Sequence, residues 1–297
     1  MYNGILPVYK EKGYTSFDVV ACLRKILDQK KIGHTGTLDP DACGVLPVCL
    51  GNATKIVQNL TDSGKQYRAQ MLLGVRTDTQ DISGNVISEA HPEKDSEKIK
   101  NALLSFIGDY DQTPPMYSAL KVNGKKLCDL ARQGIEVERK SRHVHIYDIV
   151  IHDINNDVVD FTVDCSKGTY IRTLIDDAGG KLGCGACMKE LLRTKSGGFE
   201  LDDCFRLEEI KSTVEESRID DMIISTDRFF SGYPKLTVSG EYNKLLYNGN
   251  SLFRNMFSEE PDQKADMYRV YDSLGSFVGV YTHDEGKFKL RYFFGRN

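Results

Sequence analysis

The sequence predicts an α+β fold in two parts: a large domain with a largely antiparallel, bent sheet flanked by helices, and a small β-rich C-terminal domain. Three observations lead there. Strand-like alternation and helix-like stripes are mixed up to about Phe230, without the regular βα rhythm of a doubly wound sheet. Beyond Phe230 the pattern changes to short strands separated by turn residues. A chain of 297 residues is also long enough for a main domain plus a smaller one. The boundary is placed between 1–229 and 230–297, with Ser231-Gly232-Tyr233-Pro234 as the joint.

Gly4 to Tyr9 reads as a short strand and Lys10 to Tyr14 as a turn. Thr15-x-x-Asp18 has the form of a capping box, and Val19, Val20, Leu23, Ile26 and Leu27 share one stripe, which predicts a helix to about Lys30. Gly33 to Gly44 holds three glycines, a proline and little periodicity, so a structured loop is expected. Tyr67, Ala69, Met71 and Leu73 alternate with Arg68, Gln70 and Leu72; Val159, Phe161, Val163 and Cys165 alternate with Asp160, Thr162 and Asp164. Both runs are half-buried strands. Ile99, Leu103, Phe106 and Ile107 make a helical stripe behind Asp95 and Ser96, and Ile171, Leu174, Ile175 and Ala178 make another that should stop at Gly179-Gly180. In the last part Tyr268–Tyr271, Phe277–Tyr281 and Phe288–Phe293 read as strands, with hairpin signals at Ser273-Leu274-Gly275 and from His283 to Gly286.

Hydrophobic residues make up 40% and charged residues 28% of the chain, values of a soluble globular protein and not of a disordered one. No apolar run could span a bilayer, and Met1 to Lys12 lacks the features of a signal peptide, so a cytoplasmic protein without membrane association is expected. Cysteines are scattered through predicted strands and helices, as reduced thiols are. Cys184-Gly185-Ala186-Cys187 is a tight pair with no second pair, and it reads as small residues at a helix start; no metal or cofactor is expected.

A net charge of −4 argues mildly against a nucleic-acid binder, yet the charge is uneven. Between Ala119 and His145 stand Lys121, Lys125, Lys126, Arg132, Arg139, Lys140 and Arg142 against only Asp129, Glu136 and Glu138. From Asp202 to Arg228 acids predominate, and that segment could lie away from a polyanion. On charge alone, both runs could equally be solvated faces.

Chemistry concentrates in Gly33-His34-Thr35-Gly36-Thr37-Leu38-Asp39-Pro40-Asp41-Ala42-Cys43-Gly44. A carboxylate before a proline, just ahead of the apolar run Val45 to Leu50, is held at the edge of a core. By local chemistry Asp39 could equally start an ordinary turn. The full string resembles the signature G-H-T-G-x-L-D-P of the bacterial tRNA pseudouridine synthases of the TruB type, all of whose fixed positions are present from Gly33 to Pro40. Further blocks follow in that family's order: Lys65-x-Tyr67, Gly74-x-x-Thr77-Asp78-Thr79-x-Asp81, Gln112-x-Pro114-Pro115-x-Tyr117-Ser118-Ala119-x-Lys121, and Cys165-Ser166-Lys167-Gly168-Thr169-Tyr170-Ile171-Arg172.

The resemblance implies a pseudouridine synthase-type catalytic domain, a PUA-like C-terminal domain, and conversion of the T-loop uridine of tRNA to pseudouridine. It implies Asp39 as the catalytic aspartate, Tyr67 as the tyrosine that stacks on the target base and is a candidate for proton transfer, and Arg172 as the partner of the aspartate. His34, Tyr170 and Leu191 match positions that line the uridine pocket or prise the RNA open, and Lys65 and Lys121 match substrate-contacting positions. A mobile RNA-gripping insertion is implied at about 111–145, where the basic segment lies. The implied partner is tRNA through its T arm, with no obligatory protein partner and a monomeric enzyme. Asp41, Cys43, Cys128 and Leu192 depart from the residues usual in the family.

Elementary chemistry fits these residue types. Cutting N1–C1′, turning the base and rejoining it through C5 needs a carboxylate, and Asp39 must be ionised either to attack covalently or to take a sugar proton. A guanidinium within about 4–6 Å would favour that ionised form. Flipping the base costs a few kcal/mol, of which stacking on an aromatic offsets roughly 1–3 kcal/mol. Two rival readings are an RNA-binding or tRNA-folding protein in which catalysis is secondary, and a synthase of a guide-RNA particle. The intact Asp39, Tyr67 and Arg172 speak against the first, and the missing extended basic tail against the second.

Overall fold

The computed structural model describes residues 1–262 and 264–295. Strand β1 (Gly4–Lys10) is almost wholly buried, and α1 (Ser16–Ile26) begins on the capping box: the Asp18 amide donates to the Thr15 hydroxyl at 3.0 Å, and the Thr15 amide to the Asp18 carboxylate at 2.8 Å. The helix ends before Lys30. Asp28 turns left-handed (φ 44°) and Gln29 leaves the helix to bond both the amide and the carbonyl of Tyr2.

Next come β2 (Ile32–His34), β3 (Cys43–Leu50), α2 (Val57–Asp62) and β4 (Lys65–Leu73), then the hairpin of β5 (Val75–Thr77) and β6 (Val86–Glu89), α3 (Ser96–Leu104) and β7 (Gly108–Gln112). A small basic unit follows, built from β8 (Lys121–Val122), β9 (Lys125–Lys126) and α4 (Leu127–Arg132). The chain continues through β10 (Arg142–Asn155), β11 (Val158–Cys165), α5 (Ile171–Leu182), β12 (Ala186–Ser196) and β13 (Phe199–Glu200) to α6 (Leu207–Glu215) and α7 (Thr226–Phe229). The terminal part holds β14 (Lys235–Thr237), α8 (Asn243–Tyr247), β15 (Leu252–Phe253), β16 (Met267–Tyr271), β17 (Phe277–Asp284) and β18 (Lys287–Phe293).

The large sheet follows the path β1-β3-β12-β4-β11-β10-β7, with β2 added to β3 and β13 to β12. Its pairings are antiparallel except the short contact of β12 with β3, where Leu192 and Arg193 meet Cys43 and Gly44. This is the α+β class the sequence predicts. One face of β4 and β11 carries Tyr67, Ala69, Met71, Val159, Phe161 and Val163 into a core closed by Ile99 and Leu103 of α3 and Leu174, Ile175 and Ala178 of α5. Each large aliphatic buried there contributes roughly 1.5–3 kcal/mol.

Helix α5 does not stop at Gly179-Gly180; it runs on to Leu182 and is capped by Gly183 at φ 75°. Gly179 serves packing instead, because a Cβ there would lie 2.2 Å from the Ala186 nitrogen, where β12 begins. Cys184 and Cys187 accordingly follow a helix and enter a strand; they do not start a helix. The terminal sheet, in the order β14-β16-β17-β18-β15, has its own core of Leu236, Leu246, Tyr268, Val270, Tyr281 and Phe288. Phe230, Val280 and Phe294 pack with Ile5, Val45 and Ile56 and so join that sheet to the large one.

Candidate active site

Asp39 lies in the loop between β2 and β3, and the loop is tied from several sides. Leu38, only 3% exposed, is anchored in the core with Tyr67 and Leu191, and the neighbouring Asp39 side chain stays 42% open to solvent. Asp39-Pro40-Asp41-Ala42 closes a turn in which the Ala42 amide donates to the Asp39 carbonyl at 3.1 Å, so the Asp-Pro dipeptide is a turn and a presented carboxylate at once. The Leu38 amide donates to the Ser16 hydroxyl at 2.9 Å and the Gly13 amide to the Pro40 carbonyl at 2.9 Å. Lys10, fully buried, donates to the carbonyls of Ala42 at 2.6 Å, Glu11 at 3.1 Å and Pro40 at 3.2 Å, and burial lowers its pKa to about 8.

The Asp39 carboxylate is 3.1 Å from Nη2 of Arg172, which stands in the first turn of α5. Arg172 is buried with its donors committed: Nη1 to the Thr79 carbonyl at 2.9 Å and toward Asp81 at 3.4 Å, Nη2 to the Tyr117 carbonyl at 2.9 Å. The turn carrying Thr79 and Asp81 is locked to α5 by the two-pronged Arg76–Asp176 pair at 2.8 and 2.9 Å and by the Thr173 hydroxyl donating to Gln80 at 2.9 Å. A guanidinium held this way presents charge without reorganising. Its electrostatic effect is smaller than the sequence suggests. Burial pushes the Asp39 pKa up, Arg172 pulls it down, Asp81 adds to the rise, and the net direction is upward.

Tyr67 on β4 stands opposite Arg193 of β12 in the sheet register, so both side chains share the buried face. Arg193, 1% exposed, donates through Nε to the Val45 carbonyl at 2.7 Å and through Nη2 to the Gly36 carbonyl at 3.2 Å. Burial raises the Tyr67 pKa against the opposing pull of Arg193, which leaves the phenol protonated at neutral pH. At the end of β2, burial and Arg193 lower the His34 pKa, so its imidazole is neutral. Tyr170 is the N-cap residue of α5, its amide donating to Gln112 at 2.7 Å and its carbonyl accepting from Gln112 at 2.9 Å. Leu191 packs with Leu38 and Tyr67. The charge of Asp39 contributes, as the smallest cause, to the raised pKa of both Tyr67 and Tyr170.

Of the two remaining sequence candidates, Lys65 borders the signature loop: a Cβ on Gly36 would lie 3.8 Å from its Cε. Lys65 is buried, with its ammonium on the Thr61 and Ser63 carbonyls at 2.5 and 2.6 Å and its pKa lowered by burial to about 8. Lys121 is exposed on β8 in the small basic unit. Four contributors were not singled out from the sequence: Lys10, Asp81, the Tyr117 carbonyl and Arg193. Asp81 and Tyr117 lie inside matched blocks, whereas Lys10 and Arg193 show only a cation at the end of, or within, an apolar strand. Among the described residues no three His, Cys, Asp or Glu side chains are grouped to hold a metal ion.

Residues 24–171 match the family described as TruB family pseudouridylate synthase (N terminal domain), and residues 172–231 match the tRNA pseudouridylate synthase B C-terminal domain. The second match takes in most of α5 and all of β12, and it ends where the approach to the terminal sheet begins. A protein of Alkaliphilus oremlandii named tRNA pseudouridine synthase B is 46% identical over 283 residues, 95% of this chain and 91% of that protein. Another of that name, from Lachnoclostridium phytofermentans, is 48% identical and covers 96% of each chain. Among solved structures, an H/ACA RNP bound to a substrate RNA containing 2′-deoxyuridine contains a chain similar to this one at TM-score 0.72 and 25% identity, covering 99% of this chain and 85% of that one. A Cbf5-Nop10-Gar1 complex contains another at TM-score 0.72 and 28% identity, with coverages of 97% and 83%.

Proposed function

The chain belongs to the TruB family of pseudouridylate synthases and is a tRNA pseudouridine synthase, and we propose that it isomerises the T-loop uridine with Asp39, Tyr67 and Arg172 as its reacting centre. The observation that carries the site assignment is the partly open Asp39 carboxylate 3.1 Å from a buried guanidinium whose two terminal nitrogens also hold the Thr79 and Tyr117 carbonyls. The reaction breaks N1–C1′, forms C1′–C5, and transfers the C5 hydrogen out while N1 gains a proton, so it is an isomerisation with no net redox change. Attack by Asp39 on the sugar and abstraction of a sugar proton by it both begin from the ionised carboxylate. Tyr67 offers an aromatic face to the flipped base and a protonated hydroxyl for the proton movements. Neutral His34, Tyr170 and Leu191 surround the base.

In this reading residues 1–229 are the catalytic domain, the basic insertion at about 111–145 grips the RNA backbone with Lys121, and 230–297 contact the tRNA away from the target. Lys65 acts by holding the start of β4 through the Thr61 and Ser63 carbonyls. The enzyme works as a cytoplasmic monomer without an obligatory protein partner. A guide-RNA-particle synthase is the weaker reading, because the tRNA enzymes match at 46–48% identity and the particle subunits at 25–28%.

The test is Asp39→Asn assayed on a T-loop transcript by carbodiimide mapping of pseudouridine. Isomerisation should vanish while filter-bound tRNA stays within about threefold of wild type. Full turnover by that variant would sink the mechanism.

A further inference from the structure

Arg193 is a buried cation with an unusual set of partners. Among the described residues it makes no ion pair, although it is 1% exposed; its side chain donates to the carbonyls of Val45 and Gly36, it stands opposite Tyr67 in the sheet, and its charge opposes the rise of the Tyr67 pKa. Val45 and Gly36 bracket the Asp39 segment from either side. The backbone closes in as well: a Cβ on Gly44 (φ 111°) would lie 2.2 Å from the Arg193 carbonyl oxygen, and one on Gly36 (φ 84°) would lie 3.6 Å from Arg193 Nη1. The loop is therefore wrapped around this residue; glycine allows the close approach at Gly44 and the left-handed backbone at Gly36.

A buried guanidinium without a counter-ion is unfavourable, and a neutral donor could tie two carbonyls without that penalty. What a neutral amide does not supply is a rigid planar fork of donors that reaches both carbonyls while standing opposite Tyr67. We propose that Arg193 is a positioning residue for the reaction, holding the two ends of the Asp39 loop against the strand that carries Tyr67 and fixing the carboxylate and the phenol on opposite sides of the flipped uracil. The proposal rests on the reading that gives Tyr67 a proton-transfer role. Arg193 never meets the substrate in this arrangement; it acts through the hydroxyl and through the loop. Its positive charge also opposes protonation of His34, Lys10 and Lys65.

The experiment compares Arg193→Lys and Arg193→Met with Tyr67→Phe and with each pair combined, on full tRNA. It records single-turnover rate and tRNA affinity well below the melting temperature of each variant. Arg193→Lys keeps the charge and loses the planar fork, so it should slow turnover by about tenfold or more with affinity within about threefold. Added to Tyr67→Phe it should cost less than about threefold further, because both act through one hydroxyl. A purely structural arginine would lower the melting temperature and leave the rate of folded molecules unchanged, and that result would overturn the proposal. So would losses that multiply independently while both single variants are impaired. A wild-type rate for Tyr67→Phe alone would instead remove the Tyr67 role on which the proposal rests. If Arg193→Met does not fold, the lysine variant still decides.

Discussion

Replacing Arg172 with methionine should move the acid limb of the pH–rate profile upward. The carboxylate and guanidinium are 3.1 Å apart at their nearest atoms, so their charge centres lie about 4 Å apart and attract with roughly 4 kcal/mol at an effective dielectric near 20. Because the Asp39 side chain is 42% open to solvent, screening reduces that to about 1–2 kcal/mol. Burial already holds the Asp39 pKa above the ordinary carboxylate value, and removing its main opposing charge raises it further. The active form is the ionised one, so activity is lost as pH falls through that pKa, and the loss should begin at a higher pH in the variant. Single-turnover release of the C5 hydrogen, followed from about pH 5 to 8, reads this directly. Asp81→Asn removes a negative neighbour that raises the Asp39 pKa, so its limb should move the opposite way even where the plateau falls. An Arg172→Met limb that stays in place or moves to lower pH would refute the reasoning.

Three stability measurements follow from the same geometry. Because the folded-state pKa of Asp39 is raised, the native state favours the protonated carboxyl, and the penalty is fully present at neutral pH; Asp39→Asn should therefore melt about 1–3 °C higher at pH 7, and a lower melting temperature would contradict the burial argument. Lys10→Met strips the ammonium donor from the Ala42, Glu11 and Pro40 carbonyls, at a cost of about 1–3 kcal/mol and a melting temperature lower by about 2–8 °C, with unchanged stability as the contrary result. Gly44→Ala combines a φ of 111° with a Cβ only 2.2 Å from the Arg193 carbonyl oxygen, so both folded yield and turnover should fall sharply; wild-type turnover would show that the loop can move away from β12.

What could be read without the fold was whatever depends on neighbours along the chain. The capping box of α1, the alternation in β4 and β11, the Asp-Pro turn and the glycine-bearing signature loop are patterns of a few adjacent residues, and backbone sterics and side-chain period impose them locally. The same logic failed at Gly179-Gly180. There a local rule for ending helices met a distant requirement, the passage of Ala186 against the helix, and the distant requirement decided the outcome.

Asp39, Tyr67 and Arg172 were legible in matched blocks, and the resemblance already implied that Arg172 partners Asp39, but the contacts that hold them were not legible. Arg172 reaches Asp39, Asp81 and the Tyr117 carbonyl only because α5 packs on the large sheet, and Arg193 reaches Tyr67 only because β12 and β4 take one particular register. The direction of a lysine was equally undetermined: Lys65 and Lys10 turn inward because carbonyls from other segments are waiting there, while Lys121 is exposed. The order of residues thus determined which chemical groups this protein has and the local bends that present them. Only the tertiary structure decided which groups share a buried space, and with it the balance of desolvation against charge that sets the state of Asp39, since that balance depends on distances no local pattern encodes.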